Sequence, residues 1–354
     1  MTPTPYGRRR AAGNFAALIV VFAAILLASP PARSLDTSRP DVQAFIDDLV
    51  KKDSFDEAYV ATVFKGIESK QGILDAMSKP AEKVKPWFDY RGIFLTPRRI
   101  SAGVDFFREH EVKLRQICMK TGVPAEIIVA IIGVETFYGT RTGSYRAVDS
   151  LATLAFDYPP RSAFFRSELR QLFLLARDEQ LDIGALVGSY AGAVGPPQFI
   201  PSSYRRYAVD GDGDGRRDLL KNWDDIVASV ANYFTEHNWQ RGQPIATRAE
   251  FARDAVRPTG PNELVLRDTV GSLSRRGVQF TTDLPATAPA LLVTLTGEDG
   301  DEYWVGFQNF FTITRYNRSA MYALAVVQLS EAIAGGTRTP TAEAGITTAA
   351  PDSE

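Results

Sequence analysis

Apolar residues recur at helical spacing along most of this chain of 354 residues. In residues 41–73 they fall on one helical face, formed by Val42, Phe45, Ile46, Leu49 and Val50. Residues 98–120 repeat the pattern and predict another helix. Residues 125–138 are apolar on nearly every face, which is typical of a fully buried helix. Residues 319–334 predict a last helix that packs back on the others.

The segment from residue 243 to 304 has a different texture, with short β-prone runs separated by Gly- and Pro-rich turns. The patterns together predict a mainly α (α+β) chain. The expected parts are an N-terminal α domain (35–108), a helical core (109–242 with 305–334) and a small β-rich insert domain (243–304). Residues 335–354 are rich in Thr, Ala, Gly and Pro and are expected to form a disordered tail.

The first 34 residues have the parts of a targeting segment. Arg8, Arg9 and Arg10 precede an apolar run at residues 15–28, and small residues follow it. This order predicts a secretory signal peptide, because a membrane span needs about 20 apolar residues. An uncleaved N-terminal anchor is the alternative, and it would be the chain's one contact with a membrane. Either way the sequence predicts an exported, periplasmic protein.

Composition excludes several classes of protein and of metal site. The formal net charge of −2 argues against a dedicated nucleic-acid-binding protein, which usually carries a basic excess. The single cysteine, Cys118, excludes an internal disulfide framework and cysteine-based metal clusters. Two histidines, His110 and His237, are too few for a multi-histidine metal site.

Glu135 is the most informative residue, because it ends the apolar stretch that begins at residue 127. Desolvation and the negative end of a helix dipole both favour the protonated form, so the sequence predicts a raised pKa for Glu135. A general acid that works near neutral pH needs this property. The alternatives are a surface glutamate or one that pairs with a nearby arginine such as Arg141.

Residues 188–199 combine three glycines, two prolines and a glutamine between helices. Such a rigid loop could present Ser189 and Gln198 to a polyhydroxylated ligand, although a purely structural connection is the alternative. The loop is not a serine-hydrolase elbow, because Ser189 is the second residue of the pentapeptide GSYAG rather than the third.

The sequence DGDGDGRRD at residues 210–218 begins like an EF-hand calcium loop. The twelfth position is Lys221 instead of glutamate, and Asp224 is the next acid that could close the loop. A structural calcium ion is therefore predicted, with a solvated Asp-Gly turn as the alternative.

Four motifs occur in one order: GVETFYG (133–139), the glycine loop ending in PSSY (188–204), DGDGDG (210–215) and ITRYNRS (313–319). This series resembles the membrane-bound lytic murein transglycosylase B family over residues 40–335. The resemblance implies a lysozyme-like core flanked by an α domain and a β-rich domain. It also implies an enzyme that cleaves the β-1,4 bond between N-acetylmuramic acid and N-acetylglucosamine in peptidoglycan without a catalytic cofactor.

The same resemblance implies site residues. Glu135 would protonate the glycosidic oxygen and then, as a base, deprotonate the muramyl 6-hydroxyl, which closes a 1,6-anhydro ring. The family is thought to use the substrate's 2-acetamido group in place of a second carboxylate. The implied substrate-binding residues are Tyr90, Ser189, Gln198, Tyr316 and Asn317. The implied calcium ligands are Asp210, Asp212, Asp214, the carbonyl of Arg216, and Asp224.

Three rival functions follow from the same residues. A hydrolytic muramidase would use water and a second carboxylate such as Asp149 or Asp157. A non-catalytic peptidoglycan-binding protein would need none of the catalytic chemistry, and a calcium-regulated signalling protein is weaker still, since only one loop is present. The expected partners are peptidoglycan glycan strands and cell-wall synthesis proteins, and the chain is expected to be a monomer.

Overall fold

The structure is a computed structural model that describes residues 33–78 and 85–337. The predicted signal segment lies outside these residues except for Arg33 and Ser34. Those two residues form a short strand that pairs with Glu68 and Ser69, so they belong to the fold. The predicted tail lies outside the described residues from 338 onward. Residues 335–337 continue the last helix, so that helix ends later than the composition suggested.

Fourteen α-helices lie within the described residues. They are α1 (Pro40–Lys51), α2 (Glu57–Lys65), α3 (Gln71–Ser78), α4 (Trp87–Phe94), α5 (Pro97–Glu109), α6 (Glu111–Thr121), α7 (Ala125–Thr136), α8 (Ala147–Asp157), α9 (Ser162–Asp178), α10 (Pro201–Tyr207), α11 (Trp223–Glu236), α12 (Val270–Arg275), α13 (Gln308–Tyr316) and α14 (Ala320–Thr337). The prediction of a mainly helical chain is confirmed.

Nine strands form three separate sheets in the described part of the chain. They are β1 (Arg33–Ser34), β2 (Glu68–Ser69), β3 (Tyr145–Arg146), β4 (Val187–Gly188), β5 (Ala246–Phe251), β6 (Asp268–Thr269), β7 (Val278–Gln279), β8 (Pro289–Gly297) and β9 (Gly300–Gly306). β1 pairs with β2 and β3 with β4. The other five make one antiparallel sheet in the order β6-β8-β9-β5-β7.

The five-stranded sheet lies in sequence between α11 and α13, and it has a small core of its own. This core includes Leu273, Val278, Ala290 and Val305. The β8–β9 hairpin turns between Gly297 and Gly300, which is one of the Gly-rich turns that the sequence predicted in this segment. A β-rich insert is therefore present, while the domain boundaries given above stay a prediction.

Helix α7 is the centre of the helical core, because α5, α6, α11 and α14 all pack against it. Its residues 127–132 are at most 1% exposed. The start of α7 follows from Gly122, which ends α6 at a φ of 77°, and from Pro124 just before the first helical residue. The apolar sequence therefore fixes the helix that carries Glu135 rigidly inside the molecule.

The single helix predicted over residues 98–120 is wrong, because α5 and α6 are separate. His110 lies between them with φ −108° and ψ 15°, outside the helical region. Its ring packs at 4.4 Å from the ring of Phe106 and at 5.4 Å from that of Trp223. These contacts hold the chain at a bend that hydrophobic spacing does not reveal.

In the described residues, no single helix is both long and apolar enough to cross a membrane. Only α6 and α7 taken together meet that test of length and composition, and they are bent by 115° at their junction.

Candidate active site

Glu135 lies in the last turn of α7 and is partly exposed, whereas the residues before it are buried. The hydroxyl of Tyr322, on α14, donates a hydrogen bond of 2.6 Å to Glu135 Oε1. Tyr322 is 1% exposed. One oxygen of this carboxyl group is therefore held from the protein side by a buried donor.

The chain turns sharply after Glu135. Phe137, Tyr138 and Gly139 all have left-handed backbone conformations, with φ of 50°, 58° and 79°. Two such non-glycine residues in succession are strained and need support from their surroundings. The Tyr138 hydroxyl donates to the Arg99 carbonyl at 2.9 Å, and its ring covers Gly133, where a Cβ atom would lie 2.7 Å from the ring. Gly133 is required because the turn folds this ring back on α7.

Two hydrogen bonds join this turn and α13 to the glycine loop. Thr136 Oγ1 donates to the Pro196 carbonyl at 2.9 Å. The Tyr316 hydroxyl, at the end of α13, donates to the Pro197 carbonyl at 2.5 Å. The two prolines thus present adjacent carbonyls that connect the helix carrying Glu135 with α13.

Three tyrosines from separate helices meet at the carboxyl group. Burial, and secondly the charge of Glu135, raise the pKa values of both Tyr316 and Tyr322 well above their usual range. Both hydroxyls therefore remain protonated and act as donors at neutral pH. Tyr90, on α4, is 4% exposed and also contributes to the raised pKa of Tyr322, so it lies near that tyrosine. Asn317 directly follows Tyr316 as the C-cap of α13.

Ser189 lies at the entrance of the glycine loop, just after β4. Its Oγ accepts hydrogen bonds from the backbone N–H groups of Ala191 and Ala193, at 3.3 and 3.1 Å. A serine hydroxyl has one hydrogen to give as well as lone pairs to receive. With the oxygen already occupied as an acceptor by the loop, this side chain is prepared to donate to a ligand.

Gln198 serves the loop first. Its side-chain amide donates to the carbonyls of Thr142 and Gly195, at 3.1 and 2.9 Å, and its backbone has a φ of 51°. The amide thereby connects the glycine loop with the segment that follows the turn after Glu135. The sequence predicted that Gln198 binds a ligand, and in the structure its side chain stabilises the loop.

Asp210, Asp212 and Asp214 bring carboxylate oxygens within 4.8 Å of one another. The loop is shaped by backbone N–H groups of Gly213 and Gly215, which donate to Asp210 at 2.7 and 2.8 Å. Both glycines have positive φ values, 84° and 88°. The oxygen-rich donor set is the type that Ca²⁺ prefers.

The structure does not place Asp224 in this cluster. Its carboxylate pairs with Lys113 Nζ at 2.9 Å, and the same ammonium donates to the carbonyl of Gly211. The neighbouring Asp225, which is fully buried, closes the loop instead by accepting from the N–H of Gly211 at 2.6 Å. Arg216 is the seventh residue of the loop that begins at Asp210, the position at which an EF-hand supplies a backbone carbonyl.

The two carboxylates that a hydrolytic mechanism could use are both engaged elsewhere. Asp149 is buried, receives a hydrogen bond of 2.6 Å from Arg146, and accepts from the N–H of Glu68 at 3.0 Å. Asp157 pairs with Arg39 at 2.6 Å. These groups attach the N-terminal segment to α8 and are not arranged to activate water.

Tyr322 is the functional residue that the sequence analysis missed. It lies 187 positions from Glu135, within a helix whose apolar pattern hides it. One signal was available, because a buried tyrosine usually finds a hydrogen-bond partner for its hydroxyl. That signal states that a partner exists and does not say which one.

Comparison with known proteins supplies independent evidence. The family of the transglycosylase SLT domain matches residues 37–331. The chain is 41% identical over 308 residues to membrane-bound lytic murein transglycosylase B of Escherichia coli (strain K12), a match that covers 84% of this chain and 83% of that relative.

Solved structures show the same similarity in three dimensions. Soluble lytic transglycosylase SltB1 from Pseudomonas aeruginosa superimposes with a TM-score of 0.78 at 47% identity, covering 84% of this chain and 99% of that one. Lytic transglycosylase Slt35 of Escherichia coli, in complex with calcium, gives 0.78 at 38% identity, covering 86% and 96%. The lysozyme-like fold class is thereby confirmed. The chain belongs to the SLT family of lytic murein transglycosylases, enzymes that cleave peptidoglycan by transglycosylation.

Proposed function

We propose that Glu135 is the single acid and base of this transglycosylase and that Tyr322 holds its carboxyl group in place. The observation that carries the proposal is the 2.6 Å hydrogen bond from the buried Tyr322 hydroxyl to Glu135 Oε1. Glu135 is partly exposed at the end of α7, so a substrate can reach its carboxyl group. The engagement of Asp149 and Asp157 in ion pairs supports a mechanism without a second carboxylate.

In the first step, protonated Glu135 gives its proton to the glycosidic oxygen between N-acetylmuramic acid and N-acetylglucosamine. The bond from C1 to that oxygen breaks, and the N-acetylglucosamine portion leaves with the proton. The carbonyl oxygen of the substrate's own 2-acetamido group stabilises the positive charge at C1. General acid catalysis of this kind contributes about 10²–10⁴-fold to the rate.

In the second step, the Glu135 carboxylate removes the proton from the 6-hydroxyl of the muramyl residue. The freed O6 bonds to C1 and forms the 1,6-anhydro ring, and Glu135 is again protonated. No water is consumed. Tyr322, which stays protonated, supports the carboxylate between the two steps by continuing to donate to it, since hydrogen bonds to a charged acceptor are the stronger ones.

The groove residues take distinct parts in this proposal. Ser189 donates its hydroxyl hydrogen to a substrate acceptor near the acetamido group, and Gln198 keeps the glycine loop in position beside it. Tyr90, Tyr316 and Asn317 close the site from α4 and from the end of α13. Tyr316 fixes this closure through its hydrogen bond to the glycine loop.

We further propose that the loop of Asp210, Asp212 and Asp214 binds one calcium ion. The convergent carboxylates support this, as does the complex of the related Slt35 with calcium. The Arg216 carbonyl would add a ligand, and Asp224 would join only by giving up its pair with Lys113. The ion would stabilise the loop between α10 and α11 and takes no part in the reaction.

The protein is proposed to act in the cell envelope, on the periplasmic side, as a monomer on glycan strands. The name of its Escherichia coli relative, membrane-bound lytic murein transglycosylase B, supports the envelope location. The segment 1–34 would direct export, either as a cleaved signal or as an anchor. Cell-wall synthesis proteins remain expected partners.

The direct test is mass spectrometry of muropeptides released from purified sacculi by residues 33–354, which keep strand β1. Glu135→Gln is compared with Glu126→Gln, a matched control in the first turn of the same helix. We expect 1,6-anhydromuramyl ends from the parent and from Glu126→Gln, and none from Glu135→Gln. Reducing ends from the parent would show hydrolysis, and full activity of Glu135→Gln would remove its assigned role.

A further inference from the structure

Three arginine side chains surround one aromatic ring beside the catalytic turn. The guanidinium carbons of Arg98, Arg99 and Arg141 lie 5.5, 5.0 and 5.4 Å from the ring centre of Phe137. Phe137 is only two residues after Glu135. Cation–π contacts offset part of the repulsion between these like charges, but they do not neutralise them.

This arginine cluster has no acidic partner among the residues that the structure describes. Other arginines, such as Arg39 and Arg170, form close pairs with aspartates, but none of the ion pairs between described residues includes a member of the cluster. Burial, and secondly the charge of Arg141, lower the pKa of Arg99. Three arginine cations that surround one ring without an acidic partner create a positive potential, which attracts an anion.

Arg99 is the fixed part of the cluster. It is 7% exposed and donates to the Gly133 carbonyl at 2.8 Å, while its buried Nε has no hydrogen-bond partner. Arg98 and Arg141 are exposed. Arg98 and Arg99 also lie in the first turn of α5, where the helix dipole adds positive potential. The cluster therefore has a rigid base and two side chains that can reach a ligand.

The cluster borders the proposed sugar-binding loop. Arg141 directly precedes Thr142, whose carbonyl accepts the hydrogen bond from Gln198. Gly143 follows with a φ of 105°, and it touches Gly188 so closely that a Cβ atom there would lie 2.0 Å from the Gly188 carbonyl oxygen. A ligand held by the arginines would thus lie beside a sugar bound at the loop.

We propose that Arg98, Arg99 and Arg141, arranged around Phe137, bind a carboxylate of the peptide stem on the muramic acid that is cleaved or on its neighbour. This inference rests on the proposed function. The sugars of stem-bearing peptidoglycan are uncharged, because the lactyl carboxyl of muramic acid is consumed in the amide bond to the stem. The negative charge of the substrate is therefore on the peptide, and guanidinium groups match carboxylates in geometry as well as charge.

The test compares native sacculi with sacculi whose stem carboxylates have been converted to amides. The variant is Arg98→Gln/Arg141→Gln, which leaves the buried Arg99 in place. The control is Arg253→Gln/Arg257→Gln, which removes the same charge at two exposed positions that follow β5. We expect the variant's kcat/KM on native sacculi to fall at least about tenfold, mainly through KM, because two charge-assisted contacts to the stem carboxylate are lost. On amidated sacculi the variant should equal the parent.

Some results would overturn the inference: equal loss on both substrates, no loss on either, or the same loss in the control. A parent that discriminates poorly between native and amidated sacculi would do so as well. Failure of the proposed function would look different, because the parent would then release no 1,6-anhydromuramyl ends from either substrate.

As a second measure, Arg141→Lys should recover part of the affinity lost in Arg141→Gln, because it restores charge without the planar fork.

Discussion

Replacement of Tyr322 by phenylalanine is the sharpest perturbation that the site offers. It removes one oxygen atom and keeps the ring, so the packing between α14 and α7 is preserved. The oxygen removed is the donor that lies 2.6 Å from Glu135 Oε1. The carboxyl group would then lose the hydrogen bond that holds Oε1 and could leave the orientation in which it meets the glycosidic oxygen.

The expected magnitude follows from the kind of bond that is lost. A hydrogen bond to a charged group contributes about 1.5–3 kcal/mol. With about 1.4 kcal/mol for each factor of ten, kcat/KM should fall about 10- to 150-fold. Stability should change less, by about 1 kcal/mol, because the partly exposed Glu135 can replace its lost donor with water.

The assay is the rate of release of anhydromuropeptides from sacculi, together with urea denaturation of each variant. Tyr204→Phe is the matched control, because the buried Tyr204 hydroxyl also makes short bonds, to the Arg217 carbonyl and the Leu219 N–H, at 2.6 and 2.8 Å. This control should lose about 1–3 kcal/mol of unfolding free energy, since a buried N–H is left without a partner, and should keep its kcat.

Two results would refute the reasoning. If Tyr322→Phe stayed within about twofold of the parent in kcat/KM, the hydroxyl would not be orienting the carboxyl group in the active complex. If Tyr204→Phe lost as much activity as Tyr322→Phe at equal stability, the effect would come from general loosening of the buried core and not from the bond to Glu135.

Three further outcomes are expected. Gly133→Ala should destabilise the fold by about 1–3 kcal/mol, because its methyl group would lie 2.7 Å from the Tyr138 ring; thermal denaturation measures this, and an unchanged melting temperature would contradict it. Burial lowers the pKa of His237 below its ordinary value of about 6.5, so the unfolded chain takes up the proton first as pH falls. The free energy of unfolding should therefore decrease below about pH 6.5, and His237→Gln should make that decrease shallower in urea denaturation between about pH 7 and pH 5.5. Added calcium at 100 times its Kd should stabilise the parent by about 2.7 kcal/mol, whereas Asp212→Asn should show a much smaller shift of melting temperature; equal shifts would place the ion elsewhere.

Much of the architecture could be predicted from local patterns. The apolar run at residues 125–138 predicted the buried helix α7. The predicted helix is too long only at its end, because α7 ends at Thr136. The β-prone runs after residue 243 predicted the insert, because alternation and turn residues act within a few positions. These features depend on the intrinsic geometry of the chain, which neighbouring residues express without tertiary contacts.

The candidate site was predictable only in part. Glu135 could be singled out because a carboxylate at the end of an apolar helix contradicts its surroundings. The assignment of Asp224 as a ligand went further than the structure supports, because its carboxylate forms an ion pair with Lys113 on α6. The loop sequence does not indicate this ion pair, because Lys113 is 111 positions away. The lysine reaches the loop only through the packing of α6 against α11.

Most of the helices, the β-rich segment, the glycine loop and the aspartate loop followed from the sequence alone, because each depends on the periodicity or backbone preferences of adjacent residues. Only the tertiary structure decided which side chains share a site. It joined Tyr322 to Glu135, attached Tyr316 to the glycine loop, and gathered Arg98, Arg99 and Arg141 around Phe137. The physical reason is that these contacts connect segments far apart in sequence, and their geometry is set by how whole helices pack rather than by any local preference.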